Sequence, residues 1–192
     1  MDSTSGGSRA DDESEADRPD STENTDSTES ATNDDAASAN DASETTNSGP
    51  EYETNFRDHP ECYSVGRGEE GVFKVQPYKD ELLQLWSYTD RASADGSGEA
   101  IYNRFLDYRD RDDFVGMDMA RKYLQMGYTR AMRYARYPGG KKYDDDGKEC
   151  EPQHWADDDK REAALVYEAW WQKVEADETY TERKQHHREK HG

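Results

Sequence analysis

The chain has 192 residues and carries 45 Asp and Glu against 25 Lys and Arg, a formal net charge of −20. That length holds one domain or two small ones. The longest uninterrupted apolar run, residues 163–167, is far short of the ~18 residues needed to cross a bilayer, so no membrane span is expected. Two cysteines, Cys62 and Cys150, make no disulfide framework.

The charge is unevenly spread. Residues 1–50 contain 14 acids and two bases, Arg9 and Arg18, a net of −12, together with 17 Ser and Thr. They hold no Val, Ile, Leu, Phe, Trp, Tyr or Cys. Nothing in them offsets a backbone ordering cost of roughly 1–2 kcal/mol per residue, so a disordered acidic Ser/Thr-rich tail is expected. It has no apolar leader either, and a cytoplasmic location is expected. An acid excess of this size keeps a protein soluble where salt screens self-repulsion, which points to a halophilic chain; an acidic mesophilic protein with an acidic tail is the alternative. All 21 aromatic residues, 13 of them Tyr, fall between Tyr52 and Tyr180. The folded domain is therefore placed at 51–178.

Residues 62–65 and 72–75 read as two short strands around Gly66-Arg-Gly-Glu-Glu-Gly71, a β-hairpin. Pro77 opens a short helix over 78–88. Residues 90–98 read as a loop, with Ser97 capping a helix to about Arg111. Asp112 or Asp113 caps the longest helix, 114–137, stopped by Pro138-Gly139-Gly140. Phe114, Met117, Leu124, Tyr128, Ala131, Met132 and Ala135 share one face of it. Val115, Met119 and Met126 lie opposite, so its first half is expected to be buried all round. Gly116 and Gly127, costly inside a helix, imply close packing. After a polar loop, Asp157, Asp158 or Asp159 caps a last helix whose Ala163, Val166, Tyr167, Trp170 and Val174 recur at helical spacing. Residues 179–192 read as a charged tail, with His186, His187 and His191 solvated. The expected fold is mainly α with a small N-terminal β-hairpin (α+β), a single domain of about four helices.

The segments Val65-Gly-Arg-Gly-Glu-Glu-Gly-Val72, Pro77-Tyr-Lys-Asp-Glu-Leu-Leu83 with Trp86, and Asp113-Phe-Val-Gly-Met-Asp-Met-Ala-Arg-Lys-Tyr-Leu-Gln-Met-Gly-Tyr-Thr-Arg130 resemble an uncharacterised domain-of-unknown-function family. The likeness covers about residues 59–180. It implies a small cytoplasmic protein of a kind found in bacteria, salt-loving archaea and phages, and it implies no activity.

The chemistry-bearing feature is residues 119–143. They contain no acid, seven bases and five tyrosines. The bases are Arg121, Lys122, Arg130, Arg133, Arg136, Lys141 and Lys142. Lys122, Arg130, Arg133 and Arg136 fall on one side of the helix, away from the core face, while Arg121 projects onto the apolar side and is the base expected to be buried and paired. Guanidinium groups match phosphate oxygens and phenol rings stack on bases. With Arg67 at the hairpin tip, these side chains form a candidate anion site for a phosphate-bearing ligand or nucleic acid.

Two alternatives stand beside that reading. One is a protein-interaction or solubility module whose basic helix is satisfied internally. The other is an enzyme with a site assembled from dispersed residues. Gly66-x-Gly-x-x-Gly71 lacks the following helix that a dinucleotide site requires. His59/Cys62 and Cys150/His154 have zinc-like spacing, but chance pairing accounts for it. Gly147 fails the calcium-loop register. No metal, cofactor or catalytic residue is assigned.

Overall fold

The computed structural model describes residues 54–192. The expected disorder of residues 1–50 lies outside them. Five helices order the described chain: α1 (Tyr78–Leu83), α2 (Arg91–Asp110), α3 (Phe114–Arg136), α4 (Asp158–Glu175) and α5 (Glu178–His191). Helices α2, α3 and α4 pack on one another, and α1 and α5 both dock against α3. None of these helices is long and apolar enough to cross a membrane.

Helix α3 forms where the sequence places it. The Asp113 carboxylate accepts from the Gly116 N–H at 3.0 Å, and Arg133 and Arg136 sit at the negative end of the helix dipole. The chain leaves at Pro138–Gly140, where Gly139 and Gly140 take φ of 60° and 69°. Every residue from Phe114 to Leu124 is buried. Met117, Leu124 and Met126 are fully excluded from solvent, each contributing roughly 1.5–3 kcal/mol.

Tyrosine rings set the spacing between helices. A Cβ on Gly116 would lie closer than 3.0 Å to the Tyr108 ring of α2, and one on Gly127 equally close to the Tyr167 ring of α4. Gly98 receives Trp170 in the same way. Glycine here lets a flat ring lie against helix backbone. The Tyr167 hydroxyl then reaches Ser97 Oγ at 2.7 Å and Ser87 O at 2.5 Å.

Four elements differ from the sequence reading. Helix α2 begins at Arg91, two turns early. Asp90 and Ser93 form a reciprocal capping box, and Ser97, expected as the cap, is buried inside the helix and donates to Leu85 O at 2.6 Å. Helix α1 stops at Leu83, with Gln84 as its cap, so residues 85–88 are not helical.

The β-hairpin is not found: among the described residues there is no strand, only isolated bridges at Asn55–Gln76 and Tyr143–Glu149. Residues 72–75 lie in local turns, with Val72 N bonded to Glu69 O and Val75 N to Gly71 O. Carbonyls of the expected turn, and that of Val72 in the expected second strand, are taken by long side chains of α3. Arg121 donates to Gly68 O at 3.3 Å, Lys122 to Glu70 O at 2.6 Å and Tyr123 to Val72 O at 3.0 Å. The fold is mainly helical.

The fourth difference is at the C-terminal end. Residues 179–192, expected as a charged tail, lie except for Gly192 in helix α5, which is capped by Asp177 accepting from Tyr180 N at 2.8 Å. Tyr180 and His187 are its buried residues, so His187 is not solvated. They stand seven apart, with Lys184 and His191 completing the same face. The His187 Nε2 lies 2.6 Å from Tyr63 O; since a carbonyl only accepts, that nitrogen carries the proton.

Gly127→Ala is expected to lower stability by about 1–3 kcal/mol through overpacking, although alanine favours a helix by ~1 kcal/mol. Gly96→Ala in α2, where an added Cβ meets nothing within 4 Å, should instead raise stability by up to about 1 kcal/mol. Urea denaturation of the two variants measures both signs. A neutral Gly127→Ala would contradict the ring-on-backbone packing.

Candidate functional site

The seven bases between Arg121 and Lys142 divide by depth. Arg121 and Lys122 are 4% and 1% exposed. Arg130 is half-buried, Arg133, Arg136 and Lys141 are exposed, and Lys142 is half-buried. The sequence placed Lys122 on the outward face. It is buried because residues 66–72 cross over that part of the helix.

The inner group surrounds one carboxylate. Asp118, fully buried, accepts from the Tyr180 hydroxyl at 2.6 Å and from Arg121 Nε at 3.1 Å on Oδ1, while the Tyr63 hydroxyl donates to Oδ2. Lys122 Nζ lies 3.7 Å from Oδ2 and 5.3 Å from the centre of the Tyr63 ring. The remaining Arg121 donors go to Gln125 Oε1 at 2.6 Å and to Gly68 O. Burial by itself raises the Asp118 pKa, but Arg121, Lys122 and the two phenols outweigh it, so the carboxyl sits below its usual range. Burial lowers the Lys122 pKa, with Asp118 opposing. Burial also raises the Tyr63 and Tyr180 pKa values, and the neighbouring Asp118 charge adds to it. Sequence reasoning identified Arg121 as the buried base but missed Asp118, Tyr63 and Tyr180 as its company. The available signal was Asp118 itself, an acid three residues before Arg121 in an otherwise apolar half-helix.

The outer group is arranged differently. Arg133 Nε donates to Gly140 O at 2.7 Å, which pins the turn after α3. Lys142 Nζ pairs with Glu149 at 3.4 Å. Arg67, Arg130, Arg136 and Lys141 make no ion pair or side-chain hydrogen bond with another described residue. Arg67 is exposed on the loop that α3 grips, and the neighbouring Glu69 carboxylate accepts from Thr129 Oγ1, one residue before Arg130. The loop therefore lies beside the helix, as the site requires.

Residues 141–156 fold back onto the end of α3. Gln153 N donates to Arg136 O at 2.8 Å and Ala156 N to Ala135 O at 2.7 Å. Tyr143 stands out at 52% exposed, the Lys142 ammonium 5.4 Å from its ring centre. His154 is exposed and its ring lies 5.1 Å from that of Trp155. Two open grooves of about 450 and 410 Å³ border α5, lined by Tyr180, Lys184 and Arg188 and by Tyr63, His187 and Arg188; none of the candidate bases lines them. Among the described residues no group of three or more His, Cys, Asp and Glu is arranged around a metal position.

Asp118→Asn leaves Lys122 buried without its carboxylate and Arg121 with only Glu175, 3.9 Å away, and should cost about 3–5 kcal/mol in chemical denaturation. A loss below ~1 kcal/mol would show that the cations are stabilised without it. The pH dependence has a definite sign at each end. A depressed Asp118 gives stability that is complete above about pH 4 and is lost as pH falls through the folded value. Burial raises the pKa of six phenols, Tyr63, Tyr78, Tyr108, Tyr123, Tyr167 and Tyr180. In the unfolded chain they ionise near pH 10, so stability falls as pH rises above about 10. Absorbance titration should show these phenolates emerging only together with loss of helical circular dichroism.

No curated protein matches the chain, and no solved structure does. A family model described as "Domain of unknown function (DUF4385)" matches residues 46–190. That match takes in all five helices but for His191 at the end of α5, the Asp118 group and the outer cations, and the chain belongs to this family.

Proposed function

We propose that this protein is a non-enzymatic binder of a phosphate-bearing ligand or nucleic acid, held by Arg67, Arg130, Arg136 and Lys141 with Arg133 beside them. The single observation that carries this reading is the state of those first four cations. In a chain of net charge −20 they stand without any carboxylate partner among the described residues. Guanidinium groups left open on a helix side suit phosphate oxygens, and their low hydration cost favours Arg over Lys there. Arg121 and Lys122 do not share this role. Their donors are committed to Asp118, Gln125, Gly68 and Glu70.

Magnitude narrows the ligand's demands. Four phosphate contacts imply a salt slope of about −3 to −4, against roughly −6 for seven. Binding of this size survives moderate salt and fades near molar salt unless uncharged contacts add to it. The acid excess fits a cytoplasmic protein of a salt-adapted cell, for which such added contacts are needed.

The second reading, an interaction or solubility module with its basic helix satisfied internally, is favoured by Arg121, Lys122, Arg133 and Lys142, all of which have internal partners. One experiment separates the two. The full chain should be retained on a phosphate-bearing matrix, and replacing Arg67, Arg130, Arg136 and Lys141 with Gln should abolish retention, each removal reducing the salt slope by about one. Unchanged retention in the variant, or none in the parent chain, ends the anion-binding reading.

A further inference from the structure

The outer cations do not stand alone. The loop 141–156 is tied to the last turn of α3 at Arg136 O and Ala135 O, so its exposed rings are carried to the same end of the molecule. Tyr143 is fixed by its backbone: it bridges Glu149 across the loop, and Cys150 N donates to Lys142 O at 2.9 Å. Its ring is half exposed and packs on no other ring among the described residues. A single exposed tyrosine is ordinary. One held on a braced loop, two residues from the unpaired Lys141 and on the segment whose Gln153 bonds to Arg136 O, is a flat stacking surface on the same loop as a phosphate-binding group.

We propose that the ligand is a single-stranded nucleic acid, with one base stacked on Tyr143 and its backbone running past Lys141 and Arg136 towards Arg133 and Arg130. The inference rests on the anion-binding reading above and specifies its ligand. Base stacking needs an unpaired base whose face is free, which a duplex does not present. The three arginines rise along α3 at intervals of three residues, about 4.5 Å each, so they track an extended backbone rather than converge on one phosphate. The course is also bounded. Asp144, Asp145 and Asp146 are all exposed just beyond Tyr143 and repel phosphate there, with Asp144 fixed in the turn by accepting from Asp146 N and Lys148 N. The strand therefore turns back along α3 instead of passing the loop tip. Nothing in this geometry reads the sugar, so RNA and DNA strands are both accepted.

The test compares three probes by fluorescence anisotropy at one fixed salt concentration, using the full chain. They are an oligothymidylate of about ten nucleotides, an abasic strand with the same number of phosphates, and a duplex of the same length. The oligothymidylate should bind about tenfold more tightly than the abasic strand. Tyr143→Ala should remove that advantage without altering abasic binding, and Tyr143→Phe should preserve it. Equal binding of thymidylate and abasic strands overturns the stacking proposal while leaving the anion site intact. Tighter binding of the duplex overturns it in favour of a double-stranded ligand. Failure of every probe to bind removes both this inference and the reading beneath it.

Discussion

The buried Asp118 carboxylate is the constraint around which the described chain is arranged. It gathers a phenol from the N-terminal segment, a phenol from α5 and two cations from its own helix. Burying charge is expensive, several kcal/mol per ion, and is tolerated only where hydrogen bonds complete the shell. Here the completion comes from distant parts of the sequence, because Tyr63 and Tyr180 stand 55 and 62 residues from Asp118. An interaction that stabilises little in net terms can still fix which segments meet, since every wrong arrangement strands a charge. Helix α5 has only two buried residues, and Tyr180 is one of them.

The same basic run serves two ends of α3. Up to Leu124 the helix is enclosed on all sides, and its cations turn into structure. Beyond Thr129 the loop 66–72 no longer covers it, and Arg130 is half-buried while Arg133 and Arg136 are exposed. The change comes from what covers the helix. A second polar assembly anchors the other side of the N-terminal segment. Arg57 forms a two-pronged pair with Glu81 at 2.9 Å and reaches Asp113 at 3.4 Å, while Tyr108 and Tyr78 donate to those two carboxylates. Burial raises the Tyr78 and Tyr108 pKa values, with the acceptor carboxylates adding to it. The cap of α3 is thus also an anchor for the segment before α1.

Legibility followed the kind of signal. Helices α3 and α4 could be read because apolar periodicity and an acidic cap agree in both, and a terminating Pro-Gly-Gly adds to them in α3. Gly116 and Gly127 also read correctly as packing positions, though not which rings they receive. The hairpin misled because Val72 and Val75 are buried and β-branched, and burial alone does not distinguish a strand from a turn tucked under a helix. Helix α5 was hidden for the opposite reason. Its buried face is written in Tyr, Lys and His rather than in aliphatic residues, so periodicity of apolar groups found nothing. Lys122 was misplaced because a helical wheel knows the helix but not what lies over it.

The grip of α3 on residues 68–72 has an evolutionary consequence. Arg121, Lys122 and Tyr123 hold main-chain oxygens, which every amino acid supplies. Such a clasp fixes the course of the loop through its backbone, and sequence is constrained there only at Gly68 and Gly71, with φ of 57° and 89°, and at the buried Val72. The exposed side chains at positions 67 and 70 are consequently free to diversify without disturbing the frame beneath. Single substitutions at those two positions can thus retune this part of the surface on the same scaffold.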